Sequence, residues 1–170
     1  MNGPDGSKTL VKQSGPGPTD CYSALGPGSY LNNGTFTITG TGRPSVGAFN
    51  ATINLTPLPA WTDQSGLGTV NRANGLTITW TGGAPNTFVQ LFGQSSTDKN
   101  FTFGAGFACS APATAGTLTV PPSVLLAMPA GPNGGLSFSL DAAPTTFTAS
   151  GLDLGFVTSN RETVMFVTFQ

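Results

Sequence analysis

Histidine is absent from the 170 residues, and Asp, Glu, Lys and Arg together make up only 8% of them, against roughly 25% in an average soluble domain. These two shortages remove most side-chain chemistry. Without histidine there is no Ser-His-Asp triad, no Cys-His pair and no imidazole ligand for a metal. Zinc prefers a tetrahedral set, which two thiols alone do not supply in the usual way. A glycosidase needs two carboxylates facing each other across a cleft. Here Asp5, Asp20, Asp63, Asp98, Asp141, Asp153 and Glu162 each have Gly, Pro, Ser or Asn within two residues, the setting of turn and cap residues. The one Ser-x-x-Lys, Ser96 to Lys99, lies in a polar tip, and Lys8 and Lys12 fall in an arm. Gly104-Ala105-Gly106 has no lysine after it, so it lacks the chemistry of a phosphate loop. The expectation is a chain that is no enzyme and carries no cofactor and no metal.

Two further absences bear on partners. The six Lys and Arg are scattered and the formal net charge is -1, which leaves no basic footprint for nucleic acid. No apolar run approaches the roughly 18–20 residues that cross a bilayer, so no membrane span is expected. What is present is a chain with 24 Gly, 14 Pro and 38% hydrophobic residues, the apolar ones in short runs. Hydroxyl and amide groups take over the solubilising role of charge, and few repelling charges permit close packing of subunits.

Cysteine is scarce too. Cys21 and Cys109 are the only two, far apart and in no CxxC arrangement. One disulfide between them is the favoured reading, worth roughly 4–5 kcal/mol in the chain-entropy model. The alternative is two separate buried thiols acting as small hydrophobes. A disulfide implies an oxidising compartment, so the expected location is extracellular or the cell surface. No signal peptide pattern is read at Met1, and the numbering is expected to start at a processed or engineered boundary.

The chain reads as organised around residues 75–93. Leu76, Ile78 and Trp80 alternate with Thr77, Thr79 and Thr81, a period of two that puts apolar groups on one face of a strand. Gly82 to Asn86 supplies turn residues, and Val89 and Leu91 return on one face. This is expected to be a central hairpin, with Trp80 its core anchor. Thr35 to Thr39 and Val46 to Leu55 form another pair, ended by Pro57 and Pro59. Further strands are expected at 116–120, 136–140, 145–149, 152–158 and 163–169, with Ser159 to Glu162 as a link. Ser123 to Met128 has helical spacing, with Ser123 at an N-cap position and Pro129 as a stop. The predicted fold is all-β: a single antiparallel β-sandwich, Ig-like or jelly-roll-like, over residues 30–170. One short helical turn interrupts it. Residues 1–29, punctuated by Gly-Pro steps, form an extended arm bearing one strand-like run, Thr9-Leu10-Val11-Lys12.

Val46-Gly47-Ala48-Phe49, Pro59-Ala60-Trp61, Gly75 to Gly83, Phe107-Ala108-Cys109-Ser110-Ala111-Pro112, Gly116 to Pro122, Leu125 to Pro129 and Gly151-Leu152-Asp153-Leu154-Gly155 are specific as a set. On these residues the chain resembles a group of secreted all-β modules of unassigned activity, found in many copies in soil bacteria. The resemblance covers roughly residues 34–158. It implies an Ig-like secreted module and carries over no site residues.

Two functions remain. The first is a structural subunit of an extracellular filament, pilus-like fibre or surface layer, whose partners are copies of itself. The run Thr9, Leu10, Val11 and Lys12 would serve as an assembly arm adding a strand to the next subunit. The final strand, apolar on both faces, would be central or covered by a partner. The second is an adhesion or carbohydrate-binding module contacting surface glycans, with Trp61, Tyr22 and Tyr30 as stacking candidates near loops and strand ends. Asn33, Asn50, Asn54 and Asn100 begin N-glycosylation sequons, and Asn50 and Asn54 share one strand face. A lysine–asparagine isopeptide bond has only Lys99 as a weak candidate.

Overall fold

The computed structural model describes residues 1–13, 21–23 and 30–170. Its strands, in chain order, begin with β1 (Asn2–Gly3), β2 (Gly6–Ser7), β3 (Val11–Gln13), β4 (Cys21–Ser23), β5 (Gly34–Gly40) and β6 (Phe49–Leu55). They continue with β7 (Ala60–Trp61), β8 (Thr69–Val70), β9 (Leu76–Thr81), β10 (Phe88–Ser96), β11 (Gly104–Pro112) and β12 (Thr117–Val120). After the helical turn α1 (Pro122–Leu125) come β13 (Gly131–Asp141), β14 (Thr145–Phe147), β15 (Gly155–Val157) and β16 (Asn160–Phe169). The fold is all-β and sandwich-like, with antiparallel sheets and one helical turn, as the alternation predicts. Two compact units divide it: Met1–Thr56 with Ala143–Ser159, and Pro57–Ala142 with Asn160–Gln170. Nothing in the residue pattern announces that division. The arm boundary expected at 29/30 adjoins residues outside the described ones.

The first unit is built on a sheet of order β2-β1-β5-β6. Alternation along β5 and β6 buries Phe36, Ala51, Ile53 and Leu55 and exposes Thr35, Thr39, Asn50, Thr52 and Asn54. The chain's own start closes this sheet: Asn2 pairs with Thr37. The Met1 ammonium donates to the Lys8 carbonyl at 2.8 Å. The buried Tyr30 hydroxyl reaches the carbonyls of Met1 at 3.1 Å and Gly6 at 3.3 Å. Tyr30 meets Phe36 edge-on at 5.9 Å, and the Phe36 ring occupies the space a Cβ on Gly3 would need. The hairpin β14–β15 joins the same unit through Phe147, stacked on Phe49 at 4.9 Å.

The second unit has a five-stranded sheet, β11-β10-β13-β16-β8, and a three-stranded one, β12-β9-β7. Ile78, Trp80, Leu118 and Val120 from the small sheet join one apolar core with Val89, Leu91, Leu136, Phe138, Val167 and Phe169 from the large one. Trp80 lies 5.4 Å and Trp61 5.6 Å from the Phe138 ring. The Trp80 Nε1–H donates to the Ala113 carbonyl at 2.7 Å, which satisfies the one polar group of a buried indole.

The hairpin expected between β9 and β10 does not form. β9 pairs with β12 and β7, whereas β10 pairs with β11 and β13. Residues 82–87 carry the chain from one sheet to the other, with Gly82, Gly83 and Asn86 all at positive φ. Both arms aim their apolar face at a core, and facing sheets satisfy that pattern as well as adjacent strands do. The helical turn also starts elsewhere: Pro122 takes its first position with Pro121 as the cap. Proline suits that place, since the N–H it lacks has no helical partner there. Ser123 therefore lies inside the turn. Asn160 to Glu162, expected in a link, open β16 and pair with Asp141 to Ser139 of β13.

Candidate functional site: an open sheet edge and an exposed aromatic face

β11 ends the large sheet. All its residues from Gly104 to Pro112 pair in continuous register with β10, and among the described residues no strand pairs with its other side. Its sequence, Gly-Ala-Gly-Phe-Ala-Cys-Ser-Ala-Pro, has no charge, and its only proline is the last residue. Natural edge strands are usually blunted by lysine, proline, a bulge or short length. Here none interrupts the run from Gly104 to Ala111. At the opposite side of the sheet, β8 flanks β16 in parallel only at Thr168 and Phe169.

Cys109 lies on the core-facing side of β11, half-buried and packed against the apolar cluster. It is a free thiol, so the disulfide expected between Cys21 and Cys109 is not formed. Burial pushes the Cys109 thiol up from its ordinary value, because desolvation disfavours the thiolate. The residue packs as a small hydrophobe.

The outer face of the large sheet is apolar in part. Phe88 and Phe92 on β10 and Val164 and Phe166 on β16 are exposed, Phe166 to 89% and Phe92 to 42%. They alternate with Val89, Leu91, Met165 and Val167, which point to the core. Small residues lie between them, Gly106 and Ala108 on β11 and Gly135 and Ser137 on β13. The nearby acids are engaged: Ser137 Oγ donates to Glu162 Oε2 at 2.6 Å, and Asn160 Nδ2 to Asp141 Oδ1 at 2.6 Å.

The structure separates the residues singled out by sequence. Trp61 is half-buried against Phe138, and its Nε1–H donates to Asp63 Oδ1 at 2.8 Å. The same carboxylate accepts the Thr79 backbone N–H, at 3.2 and 3.1 Å to its two oxygens. Tyr30 is 8% exposed. Neither ring is an open stacking platform, and both are packing residues with a tied polar tip. The Tyr22 side chain lies outside what is described. Of the arm run, Thr9 and Leu10 precede β3. Val11 and Lys12 lie in it, paired with Ser23 and Tyr22 of β4. Asn33, Asn50, Asn54 and Asn100 are all exposed, and Asn50 and Asn54 share the outer face of β6. Phe88 and Phe92 are not singled out by the sequence as surface residues, whereas Val164 and Phe166 belong to the final strand expected to be apolar on both faces. The signal for the first pair was there: Val89 and Leu91 on one face oblige Phe88 and Phe92 to take the other.

No helix among the described residues is long and apolar enough to cross a membrane. Comparison with known protein families, with characterised proteins and with solved structures finds no match.

Proposed function

We propose that this chain is a non-enzymatic structural subunit of an extracellular or cell-surface assembly, joined to copies of itself by strand addition along β11. The observation that carries the reading is the uncharged edge of β11, paired on one side only among the described residues. An unpaired row of backbone N–H and C=O groups is a template for another strand. The low charge of the chain removes the usual repulsion between copies. Arm exchange, the route drawn from the sequence, is less favoured because residues 1–8 are engaged with their own unit.

Strand direction permits an open chain of subunits. β11, β10, β13 and β16 alternate in direction, so β11 and β16 run opposite ways. A second copy in the same orientation brings its β11 antiparallel to β16, beside Glu162 to Val167, where β8 does not reach. The two surfaces differ, so the contact is heterologous and repeats without closing. The test is light scattering and negative-stain electron microscopy over a concentration series, on the wild type and an Ala108→Lys/Ser110→Lys variant. Both residues are exposed, so the variant should keep its circular dichroism spectrum and stay monomeric while the wild type forms filaments. A wild type that stays monomeric at every concentration, or a variant that assembles equally well, overturns the proposal.

A further inference from the structure

The rings and amides on the outer face of the large sheet form a second surface, distinct from the β11 edge. One row crosses four strands: Gly106, Gln94, Gly135 and Phe166 are register neighbours in that order. Phe92 belongs to the next row, yet its Cζ and Cε2 lie 3.4 and 3.6 Å from the place a Cβ on Gly106 would take. The ring is therefore reclined across the glycine of the neighbouring strand. Gln94 behaves likewise: its Nε2 lies 3.7 Å from the place of a Cβ on Gly135. A ring, an amide and a second ring thus succeed one another over about 14 Å, three strand spacings. The amide of Gln94 has no hydrogen-bond partner among the described residues. Glu162, the nearest acid on the face, is occupied by the Ser137 hydroxyl.

We infer that this row is a binding platform for a neutral, flat β-linked polysaccharide. Sugar rings of that kind present apolar C–H faces that stack on an aromatic ring and equatorial hydroxyls that bond to amides. Gln94 supplies two donors and one acceptor carbonyl, set between the two rings. A protein partner would fit an exposed apolar patch too, but protein hot spots are anchors seated in pockets. A reclined ring on a glycine floor makes a shelf instead. An acidic polymer would need cations, and the row has none. This inference does not depend on assembly, since the face and the edge are read by separate measurements.

The experiment is affinity electrophoresis of the full chain in gels containing mixed-linkage β-glucan, with cellohexaose titrated by calorimetry. Wild-type protein should be retarded, and Phe92→Ala, Gln94→Ala and Phe166→Ala should each weaken cellohexaose binding by about tenfold or more. All three residues are exposed, so melting temperatures should stay unchanged and the loss belongs to binding. Absence of retardation in the wild type refutes the platform, as does retardation that survives all three substitutions. Loss of oligomers in these variants, without any glycan binding by the wild type, would assign the face to protein contact and equally overturn the inference.

Discussion

Phe138 and Phe166 are the same residue type on neighbouring strands of one sheet, and truncating each to alanine should give opposite results. Phe138 is 0% exposed, with Trp61 and Trp80 at 5.6 and 5.4 Å. Removing a buried phenylalanine ring costs about 3–5 kcal/mol through lost transfer energy and the cavity left behind. The two aromatic pairs add about 0.5–1.5 kcal/mol each. For a unit of this size each kcal/mol shifts Tm by about 4–8 °C. A 4 kcal/mol loss thus lowers Tm by about 16–32 °C, a large part of the roughly 5–15 kcal/mol that holds a domain folded. Phe166 is 89% exposed, and Phe166→Ala should stay within about 0.5 kcal/mol of wild type. Urea titration followed by tryptophan fluorescence reads both, because Trp61 and Trp80 flank the ring that is removed. If Phe138→Ala costs under about 1 kcal/mol, or Phe166→Ala costs as much as Phe138→Ala, the assigned core and face are wrong.

Tyr30→Phe removes the hydroxyl that holds the Met1 and Gly6 carbonyls. It should cost about 0.5–1.5 kcal/mol and speed amide hydrogen exchange in residues 1–8 without changing β9 to β13. Asp63→Ala takes the acceptor from both the Trp61 indole and the Thr79 amide. A loss of about 1–3 kcal/mol is expected, with Trp61 emission shifted to the red as the ring loosens. Burial raises the Cys109 value in the folded state above its ordinary 9.0. The stability that this brings is whole below that value and lost as pH rises through the folded one. Stability measured between neutral pH and pH ~10 should therefore fall more steeply in the wild type than in Cys109→Ala; parallel slopes would remove the thiol from the account.

Much of the fold was legible because alternation reports a residue's face. Thr35 to Thr39 against Asn50 to Asn54, and the burial of Trp80, follow from period two and size alone. Alternation does not report which strand lies alongside, and that is why β9 and β10 read as a hairpin. Their apolar sides meet across the core as well as they would side by side. Gly131 to Gly135 carried no strand signal, since glycine has weak β propensity. It is a strand because β10 and β16 supply ladders on both sides. The start of the chain carries few apolar residues to announce its anchors, which are backbone carbonyls and one distant hydroxyl, Tyr30. The exposed face was hidden by habit: a phenylalanine in a strand reads as core until its neighbours fill the core first.

The most direct measurement is hydrogen exchange at the amides of β11 as protein concentration rises. In an isolated copy, the N–H groups of β11 that point away from β10 exchange freely. Strand addition predicts that these amides, together with those on the free flank of β16, become protected in step with assembly, while the outward amides of β5 and β6 do not change. Assembly that leaves β11 exchanging at its dilute rate would contradict the account.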